Sequence, residues 1–190
     1  MRKFILKCIS CGKEFTEDEA DYFCPDCGER RGTLEVIYDF EQVRKQYRSS
    51  SLPLHRKGIW AFDFLLPFEE EVDPPELLIG NTPLYKSDSL ARKYGVAELF
   101  VKDDGRNPTA SFKDRASAIA VAKAKAKGFD TIFCASTGNA ASSLSGLSAV
   151  AGMKSVIFVP ATAPTAKITQ LQVYGSKILA IDASYDRVFD

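Results

Sequence analysis

The stretch Thr131-Ile-Phe-Cys-Ala-Ser-Thr-Gly-Asn-Ala-Ala-Ser-Ser-Leu-Ser-Gly-Leu-Ser-Ala-Val-Ala-Gly-Met-Lys-Ser-Val-Ile-Phe-Val159 decides the fold. Its two ends, 131–135 and 155–159, are continuous apolar runs of strand length, rich in β-branched and aromatic residues. Between them, residues 140–151 have the length of a helix, which Gly152 ends. Strand, helix and strand read as a right-handed βαβ unit of a buried parallel sheet. Downstream, the pattern predicts a helix over Thr165–Tyr174, stopped by Gly175, and a strand over Lys177–Ile181. Upstream it predicts a helix over Ser87–Tyr94 ended by Gly95, a strand over Glu98–Lys102, and a helix over Phe112–Lys127 ended by Gly128. The expected fold class is α/β, an open parallel sheet of these four strands with flanking helices. Another helix signal begins near Ser184 just as the chain stops, which reads as a fragment.

The N-terminal end has a different character. Cys8-Ile-Ser-Cys11-Gly and Cys24-Pro-Asp-Cys27-Gly are two C-x-x-C-G units with 12 residues between Cys11 and Cys24. Each unit turns tightly enough to aim two thiolates at one ion, and Gly12 and Gly28 let backbone N–H groups approach the sulfurs. Four thiolates close a tetrahedral zinc shell with no open position, which makes a structural site. The gap is shorter than the ~15–20 residues of the general pattern. The fifth cysteine, Cys134, falls in an apolar strand and reads as core. Residues 1–32 are therefore expected to form a four-cysteine zinc ribbon that cannot build a core without its metal. From Thr33 to Ile79 the pattern is irregular, with a helix expected near Phe40–Arg48, a polar run Ser49–Ser51 and an acidic stretch Glu69–Glu71 before Pro74-Pro75. His55, among basic residues, is given no role.

Composition narrows the function classes. The chain has 190 residues, 45% hydrophobic and 26% charged, which is globular and long enough for a sizeable core. Lys and Arg number 25 against 25 Asp and Glu, so no net charge draws it to nucleic acid or acidic membrane. No apolar run nears the ~18 residues that span a bilayer, and Phe4-Ile-Leu6 is too short for a signal-peptide core. The expectation is a soluble, cytoplasmic protein with neither nucleic-acid nor membrane partner.

Two loops carry chemistry. In Asn107-Pro-Thr-Ala-Ser-Phe-Lys-Asp-Arg-Ala116, Ser111 and Asp114 resemble a capping box, which places Lys113 in the first helical turn. The positive end of the helix dipole there disfavours a cation and favours the neutral amine. Beside apolar Phe112, such an amine suits Schiff-base chemistry. The bland alternative is a snorkelling lysine partnered by Asp114. The second loop, Ala135-Ser-Thr-Gly-Asn-Ala-Ala141, joins a strand to a helix at the carboxyl end of the sheet, where ligands of parallel sheets bind. Ser136 and Thr137 add hydroxyls, Gly138 permits close approach to an anion at the helix start, and Asn139 offers an amide. The bland alternative is an ordinary turn capped by Thr137 or Asn139.

The segment Asn107-Pro-Thr-Ala-Ser-Phe-Lys-Asp-Arg115, with Asn139 of Ser136-Thr-Gly-Asn-Ala-Ala141 standing 26 positions after Lys113, resembles the threonine synthase family. These are pyridoxal-phosphate enzymes built like tryptophan synthase β. Gly80-Asn-Thr-Pro-Leu84 is also similar to the segment that enters the fold in that family, and many members carry a cysteine ribbon. The resemblance implies a fold of that type, with 33–102 a lead-in plus the first part of the large cofactor-binding domain and 103–190 a small α/β domain. It implies pyridoxal 5′-phosphate held by Lys113 and hydrogen-bonded by Asn139. Ser136, Thr137 and the backbone of Gly138–Ala140 would clamp the substrate carboxylate, and Lys113 would shuttle protons. The implied reaction turns O-phospho-L-homoserine and water into L-threonine and phosphate, in a chain considered as a homodimer. Ala110 stands where many relatives have glycine. Relatives also carry a glycine- and asparagine-rich loop for the cofactor phosphate, whereas the 12 glycines here are dispersed and form none after Lys113. The 190-residue chain is therefore expected to hold the cofactor weakly, if at all, and to be inactive by itself. The other readings kept open are a cysteate synthase-like or threonine dehydratase-like enzyme, and a non-catalytic zinc-ribbon module.

Overall fold

The computed structural model describes residues 4–20, 22–46, 58–68 and 72–189, which pack as two compact units. The first comprises described residues up to 46 together with 61–68, and the second comprises 58–60 with 72–189. The breaks thus differ from the expected boundaries at 32 and 102, for reasons visible in the pairing of strands.

In the first unit, β1 (Phe4–Cys8) is flanked by β2 (Glu14–Phe15) and β3 (Leu34–Tyr38), both antiparallel to it. Phe4, Leu6 and Cys8 are buried while Lys7 between them is exposed, the alternation of a strand with one covered face. β3 pairs along all of β1, from Phe4↔Tyr38 to Cys8↔Leu34. Leu34-Glu-Val-Ile-Tyr38 therefore closes the ribbon sheet, and a boundary at residue 32 would cut through it. α1 (Phe40–Gln46) follows, its first N–H groups held by Asp39, which accepts from Glu41 and Gln42 at 3.0 Å. Arg48, the serine run 49–51, His55 and the acidic run 69–71 lie outside the described residues.

The second unit begins with β4 (Leu84–Lys86), α2 (Asp88–Tyr94) and β5 (Phe100–Lys102). Ser87 caps α2 by accepting from the Leu90 N–H, and Gly95 ends it in the left-handed conformation. β4 and β5 pair antiparallel in a sheet of their own. The strand expected at 98–102 is therefore shorter and is not a member of the parallel sheet. Its nearest partner in sequence is another short strand seven residues of helix away, and antiparallel pairing needs no crossover.

α3 (Asp114–Ala126) leads to β6 (Thr131–Ala135), α4 (Asn139–Val150), β7 (Lys154–Pro160), α5 (Thr165–Val173), β8 (Lys177–Ile181) and the short α6 (Tyr185–Phe189). β6, β7 and β8 form the parallel sheet in sequence order, with Cys134↔Ile157 and Ile157↔Ile178 in register. Because the strands advance in one direction, right-handed crossovers put α4 and α5 on one face. There Ala141, Ile157, Val159 and Leu171 form a core against which Cys134 and Ile178 pack. The other face is only partly covered: Phe133 is 73% exposed and meets Phe158 edge-on at 6.2 Å. Among the described residues the sheet is thus three-stranded and buried on one side, not four-stranded and buried on both. No helix among the described residues is long and apolar enough to cross a membrane.

Candidate functional site

The four ribbon cysteines converge. Their sulfurs lie within 4.8 Å of one another, with Cys8 and Cys24 buried and Cys11 exposed. The converging geometry comes from two matching turns. The Gly12 N–H donates to the Cys8 carbonyl and the Gly28 N–H to the Cys24 carbonyl, both at 2.9 Å, with φ of 73° and 70° at the glycines. The Cys11 N–H holds the Cys8 thiol down at about 7, whereas hydrogen bonding with the Cys11 sulfur pushes Cys27 up to about 12. An ion bound here must displace protons from such thiols. Lys13 and Asp26, one from each turn, pair at 2.5 Å beside the sulfurs, a clasp that spacing alone does not announce. Cys134 stands apart in β6, where burial pushes its thiol up, consistent with a core role.

The second cluster lies wholly in the other unit. Lys113 is the N-cap of α3, with helical φ/ψ of −61° and −21°, and its side chain is exposed. The helix starts two residues later than expected because the capping-box pairing does not form. The Ser111 hydroxyl accepts from the Lys113 N–H at 3.1 Å, while Asp114 reaches back past Ser111. The fully buried Asp114 carboxylate accepts from the Thr109 N–H at 2.7 Å and also from the Thr109 hydroxyl. Asp114 thus serves to fold the loop, which carries Ala110 at φ 56°, instead of neutralising Lys113. Phe112 is 65% exposed and lies by Arg115, so it does not bury the lysine.

The Ser136–Ala140 loop leaves β6 at its carboxyl end. Gly138 is the N-cap of α4 and no side chain caps the helix; the Ser136 hydroxyl accepts from the Gly138 N–H at 3.1 Å. The first helical hydrogen bond is donated by Ser142 to the Gly138 carbonyl, which leaves the N–H groups of Asn139, Ala140 and Ala141 ahead of the ladder. The capping by Thr137 or Asn139 that an ordinary turn would use is absent.

α3 packs along α4, and Val121, Ala122 and Lys125 in the C-terminal half of α3 share a shallow cavity with Val150 and Ala151 at the C-terminal end of α4. The two helices therefore run with the same polarity, and Lys113 and Asn139 head the same end of the pair. The loop ahead of α3 also comes close to α4: a Cβ on Gly146 would lie 2.8 Å from the Thr109 methyl.

A network missed by sequence reading holds this loop from the other side. Arg115 makes a two-pronged contact with Asp104, Nη2 to Oδ1 at 2.8 Å and Nε to Oδ2 at 3.1 Å, and Thr82 donates to Oδ1 at 2.6 Å. Arg115 first, with Thr82, holds the Asp104 carboxyl down at about 2. A depressed carboxylate stabilises the fold above its ordinary value near 4 and loses that contribution as pH falls towards 2. Asp104→Asn is accordingly expected to flatten the fall in melting temperature of this unit between about pH 4 and pH 2. Equal slopes for parent and variant would show that the pair contributes nothing there.

Comparison with known proteins follows the same division. The family described as pyridoxal-phosphate dependent enzyme matches residues 75–190. The threonine synthase of Methanocaldococcus jannaschii is 37% identical over 187 residues, covering 98% of this chain and 45% of that protein. The threonine synthase of Methanosarcina acetivorans is 41% identical over 182 residues, covering 95% and 43%. The chain thus spans less than half the length of these curated relatives. Among solved structures, processed threonine deaminase isoform 2 from Solanum lycopersicum superposes with a TM-score of 0.53 at 22% identity, over 57% of this chain and 30% of that one. Diaminopropionate ammonia lyase from Escherichia coli gives 0.50 at 23%, over 56% and 32%. At such identities the structural likeness establishes the fold.

Proposed function

The chain belongs to the pyridoxal-phosphate-dependent enzyme family, and from that premise we propose that it carries the reactive lysine and carboxylate-binding loop of a threonine synthase. The reaction is conversion of O-phospho-L-homoserine and water to L-threonine and phosphate. Support comes from relatives of that name matched along almost the whole chain.

The residues present suit the cofactor. An exposed primary amine at Lys113, an exposed amide at Asn139 and the uncapped N–H groups opening α4 are what an aldehyde and an amino-acid carboxylate require. Lys113 and Asn139 would hold pyridoxal 5′-phosphate. When bound, it supplies an electron sink for negative charge developing on substrate carbons. The Ser136 and Thr137 hydroxyls and the first N–H groups of α4 bind the substrate carboxylate, which the helix field favours. That grip orients the substrate α-carbon, and the Lys113 Nζ takes its proton and returns protons to the carbon chain as phosphate leaves and water adds. The four ribbon thiolates would hold a structural zinc ion, with no position left open for chemistry.

The observation that carries the reading is Lys113 at the head of α3, in a loop tied down on both sides by Asp114 and Arg115. Its test is a substrate panel on the full-length protein with phosphohomoserine, phosphoserine and threonine. The expected result is L-threonine and inorganic phosphate in equal amounts from phosphohomoserine alone. Turnover of threonine or phosphoserine with phosphohomoserine inert would replace this reading by another amino-acid lyase.

A further inference from the structure

Asp104 joins three separate stretches of the chain. Its carboxylate takes both prongs of Arg115 and the Thr82 hydroxyl, and its carbonyl accepts from the Asn107 amide at 2.9 Å. The Asn107 side-chain oxygen in turn accepts the Gly80 N–H at 2.9 Å in a buried position, and Lys102 donates to the Thr82 carbonyl at 2.5 Å. The guanidinium passes so close to Gly80 that a Cβ there would come within 2.8 Å of Nη1, and it lies 5.9 Å from the Phe112 ring centre. Arg115 is thereby committed on several sides to groups of the fold, which removes it as a substrate ligand.

Its position in the sequence gives this commitment a consequence. Lys113 is followed by Asp114, anchored to Thr109, and by Arg115, anchored to Asp104. Successive helical residues point about 100° apart, so two neighbouring anchors pulling in different directions fix the rotation of the first turn about its axis. The direction in which the Lys113 side chain leaves the helix is fixed with it. We propose that the Asp104–Arg115 pair is a positioning device for the Lys113 amine, with Thr82 as its lock. The inference rests on the reading of Lys113 as the cofactor lysine. An ammonium cannot reproduce the planar two-pronged contact, so the device requires arginine and not merely a cation.

The test uses the full-length protein with pyridoxal 5′-phosphate, borohydride reduction and peptide mass spectrometry, alongside steady-state kinetics and melting curves. In the parent, the pyridoxyl group is expected on Lys113. In Asp104→Asn and in Arg115→Lys, occupancy at Lys113 is expected to fall about tenfold. In both, kcat should fall roughly 10²-fold, as for a reacting group displaced by about 1 Å, with KM changed far less and a melting transition retained. Thr82→Val, which removes only the third hydrogen bond to Asp104, should show the same pattern with a smaller amplitude. If the parent labels elsewhere, the reading of Lys113 fails and the device goes with it. If the parent labels Lys113 and either Asp104→Asn or Arg115→Lys labels and turns over like it, the lysine reading stands and the positioning role is wrong. Loss of labelling only in step with loss of the melting transition, in Thr82→Val as in Asp104→Asn, would equally overturn it by reducing the pair to a fold element.

Discussion

Replacing Lys113 with alanine is expected to cut turnover of phosphohomoserine by a factor of about 10⁴ or more and to remove the visible absorbance of bound cofactor. The size follows from the two roles proposed for one Nζ atom, the covalent grip on the cofactor and the movement of the substrate α-proton. The fold should survive. The Lys113 side chain is exposed and makes no capping hydrogen bond, and its backbone is helical, so alanine fits without strain or cavity. Exposed substitutions of that kind usually shift stability by less than about 0.5 kcal/mol. The loop keeps its shape because Asp114, Thr109 and Ser111 hold it without help from the lysine amine. Unchanged melting with vanished turnover is therefore the expected pair of results. Parent-level turnover in this variant would remove Lys113 from the chemistry.

The second large effect concerns the ribbon. The first unit is small, and two of its buried side chains, Cys8 and Cys24, belong to the cluster proposed to hold the ion. Four sulfurs within 4.8 Å of one another cannot all be ionised unless an ion sits among them. A structural zinc ion in such a set supplies an apparent binding energy of about 10–16 kcal/mol at neutral pH, much of it expressed as folding. Cys24→Ser, or a strong chelator, is expected to take zinc content from one ion per chain to near none. Amide protection along β1 and β3 should go with it, while β6, β7 and β8 remain protected. Acid should release the ion as well, since protons compete for every sulfur. Retention of β1 and β3 protection in metal-free protein would show that the ribbon stands on its apolar residues alone.

How much of this was legible in the sequence depends on the range of the interaction. β6 and β8 lie where the apolar runs put them, and α2, α4 and α5 end at or beside the glycines that mark them, because run length, burial and stops are local properties. Partner choice is not local. Phe100–Lys102 looks like a further strand of the parallel sheet until Leu84–Lys86 is seen opposite it, and Leu34–Tyr38 looks irregular until β1 gives it a register. The site divides along the same line. The cysteine spacing and the lysine and asparagine loops are visible as motifs, since each carries its own chemistry. Asp104 is invisible, because Asp103-Asp104-Gly105 carries no motif and only the folded chain brings Arg115 and Thr82 to it. The Ser111–Asp114 spacing suggested a capping box, but Thr109 offers both an N–H and a hydroxyl to the same carboxylate and wins the contact.

The central claim is that one amine, at Lys113, holds the cofactor. Borohydride reduction of the full-length protein with pyridoxal 5′-phosphate, followed by digestion and mass spectrometry, tests it most directly. The account predicts a single pyridoxyl group on the peptide containing Lys113, absent in Lys113→Ala. A stoichiometric adduct on any other lysine would contradict it.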